Sequence, residues 1–160
     1  MDSNNNNYRG GGNFRGGNNW NNKHQGGRET KSPEDVWRES NYQKRWITQE
    51  IDGDFPDFAE KIGKYMAENQ LTKSKIRSIY GEMKRIQMGD YDREKASFFL
   101  LRPKVAYALG RDSGNNGLKL FKKLFDECSA DVVDKATFLN FCKVFEAVLA
   151  YHRAYGGKDN

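Results

Sequence analysis

The chain has 160 residues, with 27 Lys and Arg against 22 Asp and Glu, a net charge of +5 and a mean hydropathy of -0.96. No apolar run approaches the ~18 residues of a membrane span, and no apolar core segment follows the N-terminus, so a cytoplasmic protein without membrane association is expected. The two cysteines, Cys128 and Cys142, occupy apolar helical positions, which argues against a disulfide framework and for buried free thiols.

Residues 1–32 read as a disordered Asn/Gly-rich tail, because a stretch such as MDSNNNNYRGGGNFRGGNNW offers no apolar face to offset the entropy of ordering it. Arg9-Gly10-Gly11 and Arg15-Gly16-Gly17, interleaved with Tyr8, Phe14 and Trp20, form a short RGG-type pattern suited to loose single-strand binding. A plain flexible appendage is the competing reading. Residues 33–160 are expected to form a helical domain.

Within that domain residues 33–52 are helical or irregular, with Val36, Trp37, Trp46 and Ile47 available to cover a core edge. The first clear helix places Phe55, Phe58, Ile62, Tyr65 and Met66 on one face, with Asp54 as a candidate N-cap and Asn69 at its end. Thr72 opens the next, whose apolar stripe is Ile76, Ile79, Tyr80, Met83 and Ile86. At ~100° per residue Lys73, Arg77 and Lys84 line one flank of that stripe, and Lys75 and Arg85 extend the positive surface beyond it. Gly81 beside this flank either lets a phosphate approach or serves packing.

The third helix opens near Asp92 and runs through Phe98, Phe99, Leu100 and Leu101 into LRPKVAYALGR at 101–111. Apolar residues on nearly every side predict a central helix. Pro103 predicts a kink or break, since it removes one hydrogen bond and clashes with the carbonyl of Phe99 at a cost of ~3 kcal/mol. Lys104, Tyr107 and Arg111 form a polar-tipped ridge, whereas Arg102 lies on another side, where an internal acid can hold it. After the turn at 112–117 comes a helix with Leu118, Phe121, Phe125 and Cys128 inward and Lys119, Lys122 and Lys123 outward. The last helix, from about Asp134 to Tyr155, carries two apolar stripes, the first of them Phe138, Cys142, Phe145 and Leu149. The second, with Phe141, Val144, Val148, Tyr151 and Tyr155, either meets another subunit through Phe141, Val148, Tyr151 and Tyr155 or is buried within the bundle. Strand signals are almost absent, so the fold expected is an all-α compact bundle of about five helices.

Charge is uneven along the chain. Residues 61–123 hold fifteen Lys and Arg against six Asp and Glu, while residues 34–60 hold three against eight. A basic middle third favours a polyanion partner such as nucleic acid, although lysines on solvated faces yield the same sum. Catalytic patterns are missing. His24 lies in the tail, His152 stands among aromatics, two cysteines without paired histidines make a poor zinc site, and Gly156-Gly157-Lys158 follows a helix rather than a strand. Neither an enzyme nor a cofactor is expected.

Three segments, LTKSKIRSIY at 71–80, LRPKVAYALGR at 101–111 and FCKVFEAVLAYHRAYGGKD at 141–159, together resemble the small helical subunit of type III-A CRISPR interference (Csm) complexes. The likeness covers about residues 55–160 and leaves out the tail and residues 33–52. It implies an all-helical, non-catalytic subunit of an antiviral ribonucleoprotein, stacked in several copies along backbone subunits that hold the guide RNA, beside a large subunit, and facing the target RNA. The residues it implies for RNA contact are Lys75, Arg77, Arg102 and Arg111. The residues' own spacing adds Lys73, Lys84 and Lys104. A free-standing helical RNA-binding protein that uses its RGG tail is the alternative.

Overall fold

The computed structural model describes residues 30–159, so the RGG-type tail and its expected disorder lie outside the described residues. Seven helices and no strands occur among the described residues: α1 (Pro33–Glu39), α2 (Arg45–Thr48), α3 (Phe55–Glu68), α4 (Lys73–Met88), α5 (Tyr91–Arg111), α6 (Asn116–Ser129) and α7 (Lys135–Ala154). The all-α class agrees with the sequence pattern. The count exceeds five because residues 33–52 supply two short helices.

Local chemistry accounts for most helix starts. Ser32 caps α1 by accepting from the Asp35 N–H, Asn115 caps α6 by accepting from Leu118, and Asp134 forms a capping box with Thr137 at α7. Asp54 and Thr72 occupy the N-cap positions of α3 and α4 but make no side-chain cap bond. For α4 the missing partners come from the far end of the chain. The Lys73 N–H donates to the Lys158 carbonyl at 3.0 Å and the Ser74 N–H to the Asp159 carbonyl at 3.1 Å. The C-terminal strap thus satisfies donors that a helix start leaves open.

The core is built around α7. Phe138, Phe141, Cys142, Val144, Phe145 and Val148 are all buried, and Phe141 meets the rings of Phe98, Phe125, Phe138 and Phe145. Its tightest neighbour is α3, where a Cβ on Gly63 would lie 2.5 Å from the Val148 carbonyl oxygen, so a glycine is needed there for helix approach. At one end α1 and α2 close the core. Trp46 and Ile47 are buried, Trp46 donates to Asp52 at 2.9 Å, and Asn140 of α7 donates to the carbonyls of Ile47 and Gln49 at 3.0 Å each.

Two expectations for α5 need correction. It is peripheral rather than central: only Tyr91, Phe98, Leu101 and Val105 are buried, while Phe99, Leu100 and Tyr107 are 61%, 59% and 67% exposed. And of the kink or break expected at Pro103 there is no break, for the helix runs on from Tyr91 to Arg111. Both findings have one cause. Pro103 and Phe99 stand on the solvent side, where water can satisfy the carbonyl that the proline leaves free.

Candidate nucleic-acid interface

The cations singled out in the sequence do not converge on one surface. α4 separates them into two grooves, because its buried stripe of Ile76, Ile79, Met83 and Ile86 has basic residues on both flanks. One groove lies between α4 and α7 and is lined by Lys73, Arg77, Tyr80, Gly81, Glu146 and Arg153. The other lies between α4 and α5 and is lined by Ser74, Lys75, Ser78, Leu100, Pro103, Lys104, Tyr107, Arg111 and Asp112.

In the α4–α7 groove most cations have internal partners. Lys73 and Arg153 share Asp159, at 3.0 and 2.7 Å. Lys84, at the groove's far end, donates to Glu146 at 2.7 Å and to Gln87 at 2.8 Å, and the Glu146 hydrogen bond holds its ammonium above the usual lysine range. The Lys73 and Arg153 side chains in turn hold the Asp159 carboxyl below its ordinary range. Arg77 is exposed and makes no ion pair among the described residues. Gly81 is not a packing glycine, since a Cβ there would meet nothing within 4 Å.

The α4–α5 groove carries more uncompensated charge. Lys75 pairs with Asp112 at 2.5 Å, which holds that carboxyl below its ordinary range. Lys104 and Arg111, both exposed, have no carboxylate partner among the described residues. The Arg111 guanidinium stands 5.8 Å from the centroid of the Tyr107 ring. Lys104, Tyr107 and Arg111 therefore do share one ridge, joined by Leu100 at the i, i+4, i+7, i+11 spacing of a helix face.

Two other cations lie apart from both grooves. Arg102 stands 3.7 Å from Asp126 with its side chain largely in solvent, so an acid is at hand but holds it loosely. Arg85 is fully engaged, bound by Glu82 at 2.7 Å and by Glu94 at 2.9 Å, and it adds no free charge. Exposed ion pairs of this kind are worth ~0–1 kcal/mol, so a phosphate can exchange for the carboxylate of Lys73 or Lys75 at little cost.

The interface residues expected on the second stripe of α7 also divide. Phe141 and Val148 are wholly buried in the chain's own core and cannot face a partner, a correction that follows from α7 being packed on several sides. Tyr151 is half-buried. Tyr155 is 41% exposed, with its hydroxyl donating to Glu60 and the Lys64 ammonium 5.3 Å from its ring.

In the C-terminal HRAYGGKD segment, prominent in the sequence, His152 and Gly157 have a packing role. His152 is buried with its Nε2 2.8 Å from the Leu71 carbonyl oxygen, and Gly157 lies flat against the imidazole, where any Cβ would collide with the ring. Sequence reasoning missed this role because it joins positions 81 residues apart. Burial pushes the Cys128 and Cys142 thiols up to about 12, which makes them poor nucleophiles. No cluster of three or more metal-ligating side chains occurs among the described residues, and no helix there is long and apolar enough to cross a membrane.

Comparison with known proteins places these features in a family context. Residues 50–158 match the family described as Csm2 Type III-A, a span that takes in α3 to α7 and both grooves and leaves out α1 and α2. A relative from Streptococcus thermophilus, called CRISPR system Cms protein Csm2, is 32% identical over 97 residues, covering 56% of this chain and 76% of the relative. No solved structure matches.

Proposed function

Because the chain belongs to the Csm2 type III-A family and is thus a small subunit of a type III-A Csm complex, we propose that it is a non-catalytic RNA-binding subunit of that complex. It acts in antiviral defence by holding the target RNA, or the guide–target duplex, through the phosphate backbone. Base pairing with the guide then supplies specificity, and the protein needs none of its own. Its partners are the guide and target RNA, the backbone and large subunits, and further copies of itself stacked in a filament. Of the second α7 stripe, only Tyr151 and Tyr155 reach the surface where such neighbours would meet it.

The observation that supports RNA contact best is the pair Lys104 and Arg111. They project from one ridge of α5 opposite Lys75, in a groove whose lining includes a single carboxylate, Asp112. Lys73, Arg77 and Lys84 on the other flank of α4 form a second, more compensated set, and Arg102 is peripheral to both.

The reading is tested with the full-length chain and a short RNA by following affinity against salt. Removing one cation that neutralises a phosphate lowers the slope of log K against log salt by about 0.7–0.9. Replacing Lys75, Lys104 and Arg111 together by alanine should flatten the slope by about 2, and binding should be indifferent to RNA sequence. An unchanged slope would leave a protein-interaction role for this face instead.

A further inference from the structure

We propose that the α5 ridge is a stacking platform for an unpaired nucleotide, so that the α4–α5 groove takes single-stranded RNA in preference to a duplex. The inference rests on the RNA-binding reading above and narrows its ligand. It starts from an oddity of α5: the same face that carries Lys104 and Arg111 also leaves Tyr107 67% and Leu100 59% exposed. Phosphate binding alone needs only the cations, and large apolar side chains in water gain nothing from a phosphate.

An A-form duplex cannot cover such a face well, because it keeps its bases stacked inside and presents sugar hydroxyls and phosphates outside. A single strand presents both chemistries at the spacing of one nucleotide: a π-face to lie on the tyrosine and a phosphate within reach of a cation. The groove supplies partners for each. Tyr107 and Leu100, beside the rigid ring of Pro103, offer the apolar floor, while Lys104 and Arg111 stand at i−3 and i+4 of Tyr107 on the same face. Arg111, 5.8 Å from the Tyr107 ring centroid, adds a guanidinium plane that itself stacks on bases. On the facing wall Ser74 and Ser78 of α4 bring hydroxyls into the lining. The cavity of about 800 Å³ lies within the ~300–1,000 Å³ of clefts that hold small ligands.

The test compares a single-stranded RNA and a duplex of the same length as ligands of the full-length chain, with Tyr107→Leu, Tyr107→Trp and the double variant Lys104→Ala/Arg111→Ala. Base–aromatic stacking predicts that Tyr107→Leu weakens single-strand binding about ten-fold, leaves duplex binding and the salt slope unchanged, and that Tyr107→Trp restores or improves it. The double variant weakens both ligands and flattens the slope. If the double variant weakens binding but Tyr107→Leu does not, the groove is a phosphate site only and the stacking platform is overturned. If neither variant changes binding, the RNA-binding reading of this face falls, and the platform with it. Because Tyr107 is exposed, an unaltered melting temperature for both tyrosine variants is the expected control.

Discussion

At the residue scale, Gly81 is the position where stability and binding separate. It lies inside α4, exposed, with open space where a side chain would stand. Glycine in a helix interior costs about 1 kcal/mol relative to alanine, so Gly81→Ala should raise the unfolding free energy by about that amount in urea titration. If a phosphate lies against the α4 backbone there, the same variant should weaken RNA binding while it stabilises the fold. A more stable protein with unchanged affinity would assign that flank's contribution to side chains such as Arg77 alone. Gly63 is the opposite case, since its missing Cβ is what lets α3 reach α7. Sequence alone left packing and phosphate approach open for Gly81, because both call for a small residue at the same place.

At the scale of elements, α4 depends on the C-terminal strap rather than on its own cap. The carbonyls of Lys158 and Asp159 receive its first donors, and the Asp159 carboxylate ties Lys73 to Arg153. Hydrogen bonds from Lys73 and Arg153 hold Asp159 below the usual carboxylate range, Lys75 does the same for Asp112, and the Thr137 N–H does so for Asp134. A carboxyl whose folded pKa is depressed contributes stability that is complete above its unfolded value near ~4 and is lost as the pH falls through the folded value. The melting temperature should therefore change little on account of these groups between about pH 7 and 5 and fall below about pH 4. Asp159→Asn should shrink that acid-side decline, and an unchanged decline would show that the strap carries no linked proton. The helices themselves were legible in the sequence, since stripes such as Ile76–Ile79–Met83–Ile86 are local patterns, whereas the caps were read less well: Asp54 and Thr72 make no side-chain cap bond, and Asn115 and Asp134, which do, were not singled out as caps. The strap was not legible, because backbone carbonyls at residues 158 and 159 leave no trace in side-chain identity.

For the molecule as a whole, the family match begins at residue 50, yet the core does not. Val36, Trp46 and Ile47 are buried, and the rings of Trp37, Tyr42 and Trp46 pack on Phe55 and Phe58. Tyr65 donates to the Lys31 carbonyl at 2.7 Å and Lys61 to that of Glu39 at 2.9 Å, so α3 holds this segment by its backbone. Each fully buried large apolar side chain contributes ~1.5–3 kcal/mol, out of a total of ~5–15 kcal/mol for a domain. A chain that starts at residue 50 should therefore lose at least ~4 kcal/mol and unfold at markedly lower urea than the full chain. Equal midpoints would make α1 and α2 an ornament on a self-sufficient bundle.

What the sequence by itself determined is the helical class, the inward stripes of α3, α4, α6 and α7, and the family, because each is written in spacing along one segment or in short motifs. Only the tertiary structure decided that α7 rather than α5 is central, that Phe141 and Val148 are spent on the core, and that the basic residues of α4 serve two grooves. Burial and charge compensation depend on which elements come to lie beside a helix. An apolar face reads the same in sequence whether a neighbour covers it or water does.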